Sequence, residues 1–112
     1  MAIDKVMEEA MQIILHAGDA RMHCTEALKA IEQADFACAQ EKIELANQEI
    51  LKAHRVQTTA IQGETKGETG VYSILFVHAQ DTLMTVLSEI NLTKRFIKIF
   101  ESYEARLKKL EE

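Results

Sequence analysis

Two of the four histidines stand in the same local pattern, with an aspartate three residues later. The pairs are His16 with Asp19 and His78 with Asp81. Residues three apart share one face of a helix, so each aspartate can orient the imidazole, bind a metal ion beside it, or do neither. The spacing is common by chance, and a histidine in mid-helix most often has a structural role. The histidines alone therefore leave catalysis, metal binding and structure open.

Motifs for several other chemistries are missing. No histidine has a glutamate three residues before it, as di-iron bundles require, and neither a His-Glu-x-x-His zinc motif nor a Walker or Rossmann glycine loop occurs. Cys24 and Cys38 lack metal-ligand spacing and are too few for a disulfide scaffold, so we interpret them as buried thiols in a reducing compartment. Gly63, Gly67 and Gly70 have no strand before them, which favours a solvated connection over a phosphate cradle.

Composition points to a helical domain. The 112 residues include no proline and only four glycines, whereas strand-rich folds need many Gly and Pro turns. We expect one domain over 1–112. The net charge of −5 argues against nucleic-acid binding. No apolar run approaches the ~20 residues of a membrane span. The first residues lack the charged and then apolar segments of a signal peptide. We therefore expect a cytoplasmic protein.

Apolar periodicity predicts three helices, over 4–33, 36–62 and 71–110, with Asp35 as an N-cap and a glycine-rich loop at 63–70. Gly18 interrupts the first helix, which often marks the close approach of a backbone or ligand. Apolar positions stepping by three and four define a packing seam on each of the first two helices. The first seam is Ile3, Met7, Ala10, Ile14, Ala17, Arg21, Cys24, Leu28 and Ile31, and the second is Phe36, Ala39, Ile43, Ala46, Ile50, Ala53, Gln57 and Ala60.

The third helix is too long for a compact domain of this size, since ~40 residues extend ~60 Å. It must kink, overhang or pack along something equally long, and its two stripes favour packing. The first stripe is Phe76, Leu83, Val86, Ile90, Ile97, Phe100 and Leu107; the second is Val77, Asp81, Met84, Ser88, Leu92, Arg95 and Ile99. A three-helix protomer needs only one stripe, so the second predicts contact between copies. Asp81 carboxylates meeting at an axis would need a proton or a hard divalent cation, unless Asp81 faces solvent or pairs with a basic side chain.

At these residues a family resemblance appears. Residues 77–85, VHAQDTLMT, resemble the phosphorylation-site motif of the enzyme IIA components of the lactose/cellobiose (chitobiose) family of the bacterial sugar phosphotransferase system. The stretches AGDAR at 17–21, EAL at 26–28 and AHRVQT at 53–58 resemble the family's first and second helices. The resemblance covers essentially the whole chain.

The resemblance implies an all-α fold, an antiparallel up-down-up three-helix bundle with a long C-terminal helix, assembled as a homotrimer. His78 would be the phosphoryl acceptor, receiving the group on Nε2 from phosphorylated HPr and passing it to a cysteine of the IIB component. Gln80 would lie beside the phosphoryl site. The Asp81 residues of the three subunits would together hold one divalent metal ion per trimer, such as Mg²⁺, at the axis.

Thr82 departs from this family pattern, which usually has a histidine there. A threonine hydroxyl can donate one hydrogen bond but carries no positive charge. The resemblance selects His78 over His16, which matches no functional position of the family, and His54 is interpreted as structural or interfacial. The Val-His-Ala-Gln sequence at 77–80 favours cellobiose or chitobiose over lactose. The alternatives are a non-catalytic oligomeric interaction or regulatory module of the same fold, and a metal-binding bundle enzyme.

Overall fold

Three helices account for the part of the chain that the structure describes. This computed structural model describes the backbone of residues 2–65 and 74–112, and the side chains of residues 5–63 and 74–112. The helices are α1 (Ala2–Glu32), α2 (Phe36–Thr65) and α3 (Ile74–Glu111). No strand occurs among the described residues, so the predicted all-α fold with a long C-terminal helix is confirmed. None of the three helices is both long and apolar enough to cross a lipid bilayer.

Two side-chain pairs fix the relative direction of α1 and α3. Arg21 donates from Nε and Nη2 to the two carboxylate oxygens of Glu89, at 3.0 and 2.9 Å. The sulfur of Cys24 lies 3.1 Å from the hydroxyl oxygen of Thr93. Three residues further along α1 the partner lies four residues further along α3, so α1 and α3 run parallel. The short turn after α1 reverses the chain, so α2 runs antiparallel to both. The bundle is therefore up-down-up, as predicted, and forms a rod of 66 × 20 × 19 Å.

The turn between α1 and α2 is a Schellman motif followed directly by an N-cap. The N–H of Asp35 donates to the carbonyl of Ala30 and that of Ala34 donates to Ile31, both at 2.9 Å. Ala34 has a φ of 57°, in the left-handed region that costs an L-residue more than glycine. The Asp35 carboxylate accepts a hydrogen bond from the Cys38 N–H at 3.1 Å, which confirms the predicted N-cap.

The core is built largely from alanine, isoleucine and a few other aliphatic side chains. Every predicted seam residue of α2 from Ala39 to Ala53 is buried. On α1 the predicted seam is partly wrong, because Arg21 and Leu28 are exposed while Ala20 and Ala27 are completely buried. Since α1 packs against both other helices, its buried face is the one that carries small side chains such as Ala20 and Ala27, which let α2 approach closely. The buried apolar core consists of Ala10, Ile13, Ala17, Ala20, Cys24, Ala27, Ala30, Ala39, Ile43, Ala46, Ile50, Ala53, Ala79, Leu83, Val86, Ile90 and Ile97.

The glycines behave differently from the sequence-based expectation. A Cβ added at Gly18 would meet nothing within 4 Å, so no other part of the described chain approaches it closely. The predicted loop begins too early, because α2 continues through Gly63 to Thr65. One glycine costs a helix only about 1 kcal/mol relative to alanine. The hydrogen bonds of the helix that is already formed can offset this cost. The rest of the predicted loop, residues 66–70, lies outside the described residues.

The helix α3 packs along the bundle for most of its length and then overhangs. Its last buried residue is Ile97, since α1 ends at Glu32, level with about residue 101 on α3. Phe100 and Leu107, which the sequence placed in the core stripe, are 45% and 52% exposed. That part of the prediction is wrong within the protomer because the neighbouring helices have ended.

Candidate functional site

The residues of the 77–85 motif sit on a firmly anchored part of α3. Ala79 is completely buried and Leu83 is 1% exposed, and both belong to the core. His78 and Asp81, by contrast, are exposed. Because three residues separate them, they lie on the same outward side of the helix. The core contacts thus hold the backbone in place while both functional candidates point away from the bundle.

Asp81 belongs to a stripe of mixed apolar and polar residues that the protomer leaves uncovered. Its neighbours one turn away, Val77 and Met84, are 40% and 57% exposed. In the described part of the chain, no hydrogen bond or ion pair engages the Asp81 carboxylate, so the basic partner considered from the sequence is not found. All seven members of the second stripe of α3 are exposed: Val77, Asp81, Met84, Ser88, Leu92, Arg95 and Ile99. A row of this kind is the feature expected of an interaction surface.

The hydroxyl of Thr82 is engaged in a hydrogen bond with the backbone of His78. Its hydroxyl donates to the carbonyl oxygen of His78, with an Oγ1–O distance of 2.8 Å. A threonine has a single O–H donor, so this rotamer leaves none for a group on the His78 ring. Gln80 is half-buried, beside the exposed imidazole in sequence. The departure at Thr82 thus supplies neither a positive charge nor an available donor.

The other His-x-x-Asp pair has different surroundings. The Nδ1 atom of His16 lies 3.1 Å from Oε2 of Glu49 on α2, and Asp19 lies close to both. The second oxygen of Glu49 accepts a hydrogen bond from Lys52 at 2.9 Å. The pKa of Glu49 is lowered by these hydrogen bonds, first from Lys52 and then from His16. Glu49 is the residue that sequence reasoning missed, although it flanks the α2 seam between two buried positions.

The remaining histidines lie outside the 77–85 segment. Nδ1 of His54 is 3.3 Å from the Thr58 hydroxyl, one turn along the same helix. Nδ1 of His23 is buried, 3.4 Å from a Glu26 oxygen, and makes no hydrogen bond with the described residues. The exposed Met22 on α1 lies level with about residue 90 on α3. That separation is about 12 residues, or ~18 Å along the helix, so Met22 does not border His78.

Comparison with known proteins decides the family. The profile of the lactose/cellobiose-specific IIA subunit of the PTS system matches residues 8–101. The chain belongs to this family. The match includes the whole 77–85 motif and most of all three helices, so the resemblance noted from the sequence is confirmed. The protein is accordingly a phosphotransferase-system component of the IIA class.

Relatives of this IIA chain cover nearly all of its length. A lactose-specific EIIA component from Staphylococcus epidermidis is 40% identical over 98 residues, which is 88% of this chain and 94% of the relative. The crystal structure of a cellobiose-specific enzyme IIA from Bacillus anthracis superposes with a TM-score of 0.84 at 38% identity, covering 88% of this chain and 90% of the other. The IIA(chitobiose) of Escherichia coli, solved in solution in complex with HPr, superposes with a TM-score of 0.77 at 32% identity, covering 88% and 96%.

Proposed function

We propose that this IIA chain is a phosphocarrier whose acceptor is His78. The group arrives from the phosphohistidine of HPr and leaves to a cysteine of a IIB component in the cytoplasm. The observation that carries the proposal is the exposure of His78 on a helix segment anchored by buried neighbours, within a chain of the IIA family. The E. coli relative solved with HPr supports HPr as the donor.

The transfer needs an exposed nucleophile more than an enclosed pocket. In the neutral imidazole with the proton on Nδ1, the Nε2 lone pair attacks phosphorus; the donor N–P bond breaks as the Nε2–P bond forms. In the second step the Nε2–P bond breaks as the cysteine sulfur of IIB forms an S–P bond. Phosphoryl transfer depends chiefly on positioning and charge stabilisation, for which Gln80 is the accessory candidate.

Thr82 acts on the backbone rather than on the phosphoryl group in this proposal, since its only proton is donated to the His78 carbonyl. We expect Thr82→Val, which keeps the shape and removes the hydroxyl, to be phosphorylated to the same extent as the wild type. The measurement is the fraction phosphorylated by HPr at equilibrium. A clear loss in Thr82→Val, with helicity unchanged, would show that the hydroxyl serves the phosphorylated state.

The exposed stripe of α3 supports a homotrimer in which three α3 helices surround an axis. Met84 and Leu92, each 57% exposed, would there exchange water for apolar contact. The three Asp81 carboxylates would converge, and the lack of a partner for Asp81 among the described residues fits a role as an oxygen ligand. A divalent ion such as Mg²⁺, one per trimer, would neutralise this charge.

The sugar assignment favours cellobiose or chitobiose, on the motif's Val-His-Ala-Gln wording. The relatives' names differ in sugar, lactose-specific in one case and cellobiose-specific in another. The discriminating experiment offers the phosphorylated chain to purified IIB components of the lactose and cellobiose types. We expect faster transfer to the cellobiose type, and preferential transfer to the lactose type would reverse the assignment.

Phosphorylation itself tests the acceptor. The purified chain is incubated with HPr, enzyme I and phosphoenolpyruvate, and its intact mass is measured. We expect one phosphoryl group per chain in the wild type, none in His78→Ala, and one in the matched control His54→Ala. Labelling of His78→Ala would refute the assignment. An unlabelled wild type of normal assembly mass would favour the non-catalytic interaction module.

A further inference from the structure

A second cluster of ligating side chains bridges α1 and α2 and includes no residue of α3. His16, Asp19 and Glu49 each bring one nitrogen or oxygen atom within 4.8 Å of the other two. The side chains of His16 and Glu49 are only 29% and 20% exposed, whereas Asp19 is exposed. The phosphocarrier function leaves the His16-x-x-Asp19 pattern unused, and the fold adds to it a third ligating residue from another helix.

We propose that this cluster binds a divalent first-row transition-metal ion, with Zn²⁺ as the representative ion. One imidazole nitrogen and two carboxylate oxygens are ligands that zinc accepts. The imidazole favours such an ion over Mg²⁺, which prefers oxygen ligands alone. Three protein ligands leave a fourth tetrahedral position for water. The ion would cross-link α1 and α2 through residues 33 positions apart in sequence.

The geometry requires only small side-chain movements. Zinc bonds of about 2.0–2.2 Å place tetrahedral ligand atoms roughly 3.4 Å apart, and the His16–Glu49 atom pair is already at 3.1 Å. Asp19 is exposed, so rotation of its side chain can close the remaining gap. Without metal, a His16 Nδ1–H can donate to Glu49; with metal, the Nδ1 lone pair is the ligand and the ring proton resides on Nε2.

The positive charge of Lys52 opposes binding of a cation at this cluster. Its ammonium group donates to Oε1 of Glu49 at 2.9 Å, leaving Oε2 on the His16 side. The lysine therefore keeps Glu49 ionised but adds a positive charge about 5 Å from the ion. Removing that charge should tighten metal binding roughly fifteenfold, from the Coulomb energy of a unit charge and a double charge at about that distance in a water-like dielectric.

The test is calorimetric titration of the metal-free full-length protein with Zn²⁺. All chains carry Cys38→Ser, because a half-buried thiol is a competing zinc ligand. We expect one ion per protomer at this cluster, in addition to one per trimer at the proposed Asp81 axis. The dissociation constant of the cluster should be raised at least about tenfold by His16→Ala and by Asp19→Asn, and Lys52→Gln should bind more tightly. Losing even an outer-shell partner of a ligand weakens metal affinity roughly 10–100-fold. Zinc should also raise Tm in the parent chain and not in His16→Ala.

Two matched controls separate this site from other ligands. His54→Gln removes an exposed histidine outside the cluster, and Asp81→Asn removes the carboxylate proposed at the trimer axis. Both should retain one zinc ion per protomer at unchanged affinity, and neither outcome depends on phosphocarrier activity. The proposal is overturned if the parent chain binds no zinc, if His16→Ala and Asp19→Asn bind it unchanged, or if Asp81→Asn abolishes binding.

Discussion

Substitution of Leu92 by aspartate tests the exposed stripe of α3 as the contact of the proposed trimer. Leu92 is 57% exposed in the protomer, and full burial of a leucine side chain contributes about 1.5–3 kcal/mol. Covering the exposed part would therefore contribute about 0.9–1.7 kcal/mol per copy, or roughly 3–5 kcal/mol for three copies. Leu92→Asp removes that contribution and adds three like charges near the axis. We expect trimerisation to weaken by at least about 3 kcal/mol, more than a hundredfold in the association equilibrium.

Sedimentation equilibrium over a range of protein concentrations measures this change. The matched control is Leu51→Asp, the same substitution at a leucine that is 46% exposed on α2. We expect the control to keep the wild-type mass and Leu92→Asp to dissociate into folded monomers with unchanged helical circular dichroism. The reasoning is refuted if Leu92→Asp associates as strongly as the wild type. Equal dissociation of the Leu51→Asp control would show that the contact lies elsewhere.

Three further substitutions test the axis, the α1–α2 turn and the core. Asp81→Leu should keep or strengthen the trimer, since apolar packing replaces converging carboxylates; monomers in sedimentation would contradict this. Ala34→Gly should stabilise the fold by about 1 kcal/mol, raising Tm by about 4–8 °C, because Ala34 has a φ of 57°. The opposite result is expected for Ala105→Gly, an exposed helical position, and a lower Tm for Ala34→Gly would refute the turn argument. Burial raises the pKa of the Cys24 thiol above its ordinary value, so the folded state disfavours the thiolate. The contribution of this thiol to stability is complete below its unfolded pKa of about 8.5 and is lost as pH rises through the higher folded value. The unfolding free energies of wild type and Cys24→Ala, measured by denaturant titration, should therefore converge between about pH 8 and pH 10. Parallel pH profiles of the two free energies would contradict the raised thiol pKa.

The sequence predicts the fold well where periodicity and side-chain size agree. On α2, isoleucine alternates with alanine, and the buried face is the predicted one from Ala39 to Ala53. On α1, a repeat of three and four fits two adjacent faces, one through Arg21 and one through Ala20. Only contact with both neighbouring helices selects the face of Ala20, and that contact is not encoded in local spacing. The overhang at Phe100 has the same origin, because it depends on where α1 and α2 end.

The sequence predicts the candidate site less evenly. The two His-x-x-Asp pairs are indistinguishable locally, yet His16 contacts Glu49 whereas His78 is exposed. The contact between His16 and Glu49 joins residues 33 positions apart, so no pattern within one helix contains it. The hydrogen bond from Thr82 is local but depends on a rotamer. Spacing therefore identifies candidate residues, whereas tertiary contacts distinguish their roles.

For the proposed acceptor role, the exposure of His78 is a physical requirement of a relay rather than a sign of an incomplete active site. A carrier must present the same nitrogen to two different proteins in turn, so a pocket closed around that nitrogen would exclude both. The position of His78 must then be fixed by the helix that carries it, and buried Ala79 and Leu83 provide this by anchoring α3 in the core. Charge stabilisation must come largely from outside the motif, because Thr82 brings no charge and its only proton is donated to the backbone. Partner surfaces that dock around His78 are therefore expected to supply much of the electrostatic stabilisation of the transferring group.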